Sequence, residues 1–267
     1  MGRRNLFWGI LVLIIGLIFL AISLGWLKGV NGWSLIWPVA LVFIGVWFLV
    51  SSLTRKQRPL ERHDLAINKE NDQAVAIKLE YGAGKLELGP SENPAVLVEG
   101  ALLGEFAQVV TRDGNKANIK LSAGPHMFMD WPNTMGSHGL DWKLSLNKDL
   151  PMELSIESGA SESILNLTDL KVTNLKLGTG ASSNKIYLPA KAGSTQVKVD
   201  AGAASIDIFI PQGVAARIKL DSAISGNKVD NTRFPWNGKV YESPDFESAQ
   251  NKVEIKISSG VGSINIK

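Results

Sequence analysis

The stretch Asn174–Pro211, NLKLGTGASSNKIYLPAKAGSTQVKVDAGAASIDIFIP, contains one unit written twice. Each copy is an alternating apolar segment, a small-residue corner at Gly180 or Gly202, and a second alternating segment. Counted back from the corner, Thr173, Leu175 and Leu177 in one copy match Thr195, Val197 and Val199 in the other. Counted forward, Asn184, Ile186 and Leu188 match Ile206, Ile208 and Ile210. Alternation with period two places one face of a strand inward and the other toward water, so each copy reads as strand, corner, strand.

Four further segments fit the same template. Met152, Leu154 and Ile156 precede Gly159, with Leu165 and Leu167 after it. Ala216, Ile218 and Leu220 precede Ala223, which stands where the other copies have glycine, and Val229 follows. Val253, Ile255 and Ile257 precede Gly260, with Ile264 and Ile266 closing the chain, while Val75, Ile77 and Leu79 precede Gly82, with Leu86 and Leu88 beyond. From Gly159 through Gly180 and Gly202 to Ala223 the steps are 21, 22 and 21 residues, so the units are expected to stack in chain order as rungs of a coil. The gap of 37 residues before Gly260 marks an insertion, and the last rung, ending at Ile266-Lys267, is expected to leave a sheet edge at the C-terminus.

One rung buries too few side chains to offset the ordering of its backbone, so the array is expected to fold cooperatively. The corner residues Gly82, Gly159, Gly180, Gly202, Ala223 and Gly260 are the structural positions singled out by the repeat. Tight corners call for positive φ or for close backbone approach, and glycine meets either need. A sandwich of similar hairpins is the competing architecture. The repeat favours an all-β, single-domain β-solenoid with rungs of about 21 residues.

Ahead of the repeats the chain changes character. Leu6–Leu27 and Trp33–Leu53 are almost wholly apolar, and each is long enough to cross a bilayer as a helix, which takes about 20 residues. Residues 1–53 therefore read as a two-helix transmembrane hairpin, 54–73 as a polar linker without periodicity, and 74–267 as the solenoid domain. A cleaved signal peptide is the competing reading of the first segment, but its apolar run is long and a second span follows at once. Arg3 and Arg4 flank one side of the hairpin and Arg55, Lys56, Arg58 and Arg62 the other, while the turn carries only Lys28. The positive-inside rule then puts both termini and the solenoid in the cytoplasm of a multi-pass membrane protein.

Of the 28 basic and 25 acidic residues, seven and one fall in residues 1–62, which leaves 21 and 24 beyond them. The sequence pI near 9.0 thus reflects the membrane flanks and is no argument for nucleic-acid binding. Between residues 90 and 150 the repeat is less regular. Ala95–Val98, Phe106–Val110, Lys116–Leu121 and Trp142–Leu146 read as strands of an opening cap.

Residues that could carry chemistry are few. The absence of cysteine removes disulfides, Cys-based zinc sites and a thiol nucleophile. Gly124–Trp142 gathers Met127, Met129 and Met135 with His126 and His138, a thioether and imidazole set that suits Cu(I). No spacing fixes a geometry there, and a loop anchored by Phe128 and Trp131 accounts for the same residues. GAGKLELGP after Tyr81 is no phosphate loop, because Lys85 opens a strand instead of a helix. Asp245 and Glu247 sit in the polar insertion, where a solvated surface is the simpler reading than acid-base work. The expectation is a non-enzymatic protein with no catalytic residues, cofactor or metal.

The N-terminal LFWGILVLIIGLIFLAISLGWL and SLIWPVALVFIGVWFLV resemble the membrane region of LiaF-like bacterial envelope-stress proteins. The rungs LKLGTGASSNKIYLP and VKVDAGAASIDIFIPQGV, and the ending YESPDFESAQNKVEIKISSGVGSINIK, resemble the C-terminal β-solenoid of that family and the related "toastrack putative adhesin" domains. Tyr241, Ser243-Pro244, Asn251 and Gly260-Val261-Gly262 carry the closing pattern. The resemblance implies a membrane-anchored modulator of a sensor histidine kinase that answers cell-wall damage or cell-wall-active antibiotics. The chain has two spans where some relatives have four. The other expectation, from the sheet edge, is a structural or adhesive module that forms homo-oligomers.

Overall fold

The computed structural model describes residues 61–124 and 140–267, together with Gly45. Apart from Gly45, the two apolar stretches read as spans lie outside the described residues. Among the described residues no helix is long and apolar enough to cross a membrane. Twelve strands follow one another: β1 Arg62–Asn68, β2 Ala74–Ser91, β3 Val96–Leu103, β4 Phe106–Asp113, β5 Lys116–Ala123, β6 Leu140–Asn147, β7 Pro151–Asn166, β8 Lys171–Tyr187, β9 Ser194–Phe209, β10 Ala215–Val229, β11 Tyr241–Glu242 and β12 Lys252–Ile266.

Six of these strands, β2, β7, β8, β9, β10 and β12, are the six repeat units, each running through its corner. Residues an odd number apart in a straight strand point to opposite faces. Leu79 and Leu86 are seven apart and both fully buried in one core, as are Ile257 and Ile264, so the strands turn at the corner. Residues before the corners form a front wall and residues after them a back wall. Every apolar position picked out by the repeat in β7, β8, β9 and β12 is buried between the walls. The rungs stack in parallel with residue-for-residue register, Leu154 on Leu175 on Val197 on Ile255 on Ile218.

Chain-order stacking holds from β7 to β9 and fails at both ends. The order across the sheet is β1-β3-β6-β2-β7-β8-β9-β12-β10-β11, with β5 pairing β2 and β4 pairing β5. At one end β5 pairs the front half of β2 and β6 its back half, so these two short strands are the halves of one rung. Residues 125–139, which fall between them in the sequence and include His126, Met127, Met129, Met135 and His138, lie outside the described residues. The chain then steps over β2 to lay down β7 on its far side.

At the other end β10 does not stack on β9. The C-terminal strand β12 lies between them, pairing β9 on one side and β10 on the other. This corrects the expected C-terminal edge: Ile266 is buried and the last strand is interior. Strands in a sheet lie about 4.8 Å apart, so the connection from β9 to β10 has only about 10 Å to bridge. Asn251 sets the entry of β12, its Oδ1 accepting from the Gly193 amide and its carbonyl from the Ala215 amide, both at 3.1 Å. The 37-residue gap holds the cap over β10. There Tyr241 and Glu242 pair with Ile218 and Arg217, Ser243 Oγ accepts from the Ala216 amide at 2.9 Å, and Phe234 and Phe246 are buried.

The stretch read as a polar linker contains β1, because Leu65 and Ile67 alternate with polar neighbours and turn into the core. It pairs antiparallel with β3, which pairs with β6. The four strands expected between residues 90 and 150 are present as β3 to β6.

Candidate interaction face

The outward residues of the front wall are solvent-facing, so their identities are free of packing demands. In register they form a row: Lys120 on Lys78, Lys78 on Ser155, Ser155 on Lys176, Lys176 on Lys198, Lys198 on Lys256, and Lys256 on Lys219. Six of seven rungs supply a lysine. At about 4.8 Å per rung the row is roughly 29 Å long. Like charges directly opposite one another in a sheet are destabilising, so stacking alone does not explain the pattern.

Carboxylates two residues along the strands neutralise part of the row. Lys78 Nζ lies 2.7 Å from Glu80 and 3.2 Å from Glu157, Lys120 lies 2.8 Å from Glu80, Lys198 2.7 Å from Asp200, and Lys219 3.7 Å from Asp221. The bonds from Glu80 and then Glu157 hold the Lys78 ammonium above its ordinary pKa, and those from Lys120 and then Lys78 hold the Glu80 carboxyl below its own. In β8 and β12 the corresponding positions are Gly178 and Ser258. Lys176 and Lys256 accordingly have no carboxylate within ion-pair distance among the described residues.

The row's gap at Ser155 opens into a groove of about 270 Å³, lined in part by Lys78, Thr111, Asn118, Lys120, Asn174 and Lys176. Glu153 also lines it and is engaged by Lys116 at 2.7 Å. The back wall differs. Its equivalent row runs Lys143, Glu87, Ile164, Lys185, Asp207, Asn265, Lys228, a mixture of signs and neutral residues.

The corner residues fall into a column between the two walls. A Cβ placed on Gly159 would lie 2.8 Å from the Gly82 carbonyl oxygen, on Gly180 2.6 Å from that of Gly159, on Gly202 2.8 Å from that of Gly180, and on Gly260 2.8 Å from that of Gly202. None of these glycines has positive φ, so close approach of stacked backbones is the reason for them. Gly82 lies at the end of the glycine column, and among the described residues nothing stands within 4 Å of such a Cβ. Ala223 falls opposite Gly260 in the outermost long rung.

Among the described residues no group of three or more His, Asp or Glu could hold a metal ion. Arg217 pairs with Glu242 and Glu247 and lies over the Phe246 ring at 4.1 Å, so Glu247 serves the cap, and the backbone carbonyl of Asp245 accepts from the Ala249 amide. The lysine row was missed in the sequence, although its signal is simple. Each of Lys78, Lys176, Lys198, Lys219 and Lys256 stands four residues before its corner.

One solved structure shares this fold. A crystal structure described as a "putative cell adhesion protein" from Clostridium sporogenes ATCC 15579 superposes with a TM-score of 0.68 at 19% identity, over 79% of this chain and 99% of that one. A "putative adhesin" from Bacteroides fragilis NCTC 9343 aligns over 79% and 98% of the two chains at 10% identity, with a TM-score of 0.29. No curated protein matches the chain. The family signature described as the N-terminal domain of toast_rack, DUF2154, spans residues 56–209, more than half of the sequence, and the chain belongs to that toast-rack family.

Proposed function

We propose that this chain is a membrane-anchored, non-enzymatic regulator of the bacterial cell-envelope stress response, a LiaF-like scaffold that modulates a sensor histidine kinase. The observation that carries the reading is how the domain distributes its side chains. Inward positions form an apolar ladder, and outward ones form a rigid, charged front wall suited to docking another molecule. The two apolar stretches at 6–27 and 33–53 supply the anchor, and their basic flanks orient the domain toward the cytoplasm, where a kinase catalytic region resides. Single cysteines at Asn31 and Ser225, in a chain that has none of its own, test the topology with an impermeant maleimide on intact cells. Labelling at Asn31 alone is expected. Labelling at Ser225 alone would put the domain outside the cell and end the kinase reading.

One observation favours a second reading, a self-associating adhesin-like module. Among the described residues β4 pairs only with β5, and Val109 at its centre is 54% exposed. An unprotected edge strand is a template for a second chain. Val109→Lys is then expected to lower the oligomeric mass measured by light scattering in detergent. A wild-type protein that stays monomeric at high concentration would rule this reading out.

A further inference from the structure

We infer that the front wall is a binding track for a linear phosphate-bearing polyanion laid along the lysine row, an inference that stands apart from the kinase reading. The continuity of the row is the first argument. Its lysines come from rungs as distant in sequence as Lys78 and Lys256. The out-of-order insertion of β12 is what places Lys256 between Lys198 and Lys219. Any polar residue would satisfy an outward position, and a stack of like charges costs stability. A sequence that keeps lysine at one register position in six of seven rungs, while the matching back-wall row mixes its signs, is maintaining a line of positive charge.

The second argument is where that charge is left unneutralised. Gly178 and Ser258 replace the carboxylate in the rungs of Lys176 and Lys256, so among the described residues Asp200 is the one carboxylate in ion-pair contact with the run Lys176, Lys198, Lys256, while Glu254 flanks it without an ion pair. Asn174 and Gln196, two residues before Lys176 and Lys198 on the same strands, add neutral amide donors. Toward β2 the groove at Ser155 adds a hydroxyl between Lys78 and Lys176. Ammonium and hydroxyl donors at regular spacing suit phosphate oxygens.

The shape of the ligand follows from the flanks. Glu80, Glu157, Asp200 and Asp221 border the row on the corner side, and Glu153 and Glu254 on the other. A flat anionic bilayer pressed onto this wall would meet those carboxylates as well as the lysines. A narrow chain of phosphates lying on the lysines meets far fewer. A single phosphate would use one rung of a track about 29 Å long.

The test uses the full-length chain in detergent and fluorescently labelled inorganic polyphosphate longer than the track, read by anisotropy across a salt series. The triple variant Lys176→Gln, Lys198→Gln, Lys256→Gln is expected to bind at least tenfold more weakly. Its slope of log affinity against log salt is expected to fall by about two, from three lost contacts at about 0.7 each. The triple Lys→Arg variant at the same positions retains affinity. The back-wall control Lys143→Gln, Lys185→Gln, Lys228→Gln, with the same change in charge, stays within about twofold of wild type. Equal weakening by both glutamine triples would overturn the inference, as would full displacement by orthophosphate at equal phosphate concentration. Binding to anionic lipid vesicles without binding to polyphosphate would overturn it too.

Discussion

Truncation after Asn251, which removes β12, is expected to abolish the cooperative unfolding transition of the whole domain. In a solenoid stacked in chain order the C-terminal strand would be the outermost rung. Its loss would then cost one interface and leave the rest standing, since each rung contacts only its neighbours. Here β12 pairs fourteen residues to β9 and fourteen to β10. Its removal leaves β10 and its cap with no rung to stack on and bares the long edge of β9. The side chains lost from the core are Val253, Ile255, Ile257, Ile264 and Ile266, all buried. At about 1.5–3 kcal/mol each they represent about 8–15 kcal/mol, as much as the whole stability of a typical domain. Far-ultraviolet circular dichroism and a thermal melt of the truncated and full chains decide the matter. A truncated chain that melts cooperatively within a few degrees of the full chain would mean that β10 can stack directly on β9.

The same strand shows where sequence and structure part company. The repeat was legible because period-two alternation and a glycine corner recur at fixed positions, and these local features are what a parallel rung requires. Thr195, Val197 and Val199, for example, sit inward as the pattern implies. The spatial order of the rungs was not legible. Val253-Glu254-Ile255 pairs as well with β9 as with β10, and nothing within a strand says which neighbour it will have. The choice is made by Asn251, whose side chain and carbonyl bond to the starts of both neighbouring rungs, and by the cap around Ser243 and Phe246 that finishes β10. Those are contacts between residues 27 to 58 positions apart, beyond the reach of periodicity. The β1 strand escaped notice for a different reason. Only Leu65 and Ile67 turn inward in seven residues, too short a run to stand out among charges. The lysine row lay in plain view at four residues before the corner, but its meaning depends on register. Only with the rungs aligned do the lysines become neighbours and not merely repeats.

Gly180→Ala is expected to destabilise the domain by about 2–3 kcal/mol, while Gly82→Ala leaves stability within about 0.5 kcal/mol of wild type or raises it slightly. Both residues occupy the corner position and neither has positive φ, so a rule based on backbone conformation would treat them alike. They differ in what lies beside them. A methyl on Gly180 would meet the Gly159 carbonyl oxygen at 2.6 Å, a distance that real contacts do not tolerate, and the obstacle is backbone that cannot swing aside. To relieve it the corners of β7 and β8 must separate. Those strands are paired on both sides of the corner, through Ser158↔Thr179 and Ala160↔Ala181, so the separation strains the ladder in both walls. Gly82 is at the end of the glycine column, where among the described residues a methyl finds nothing within 4 Å and removes conformational freedom from the unfolded chain. Denaturant melts of the two variants measure the difference directly. Equal losses in both would make the corner glycines a requirement of the bend itself. A loss confined to Gly180 makes them a requirement of stacking, and Gly159, Gly202 and Gly260, which face carbonyl oxygens at 2.8 Å, should then follow Gly180.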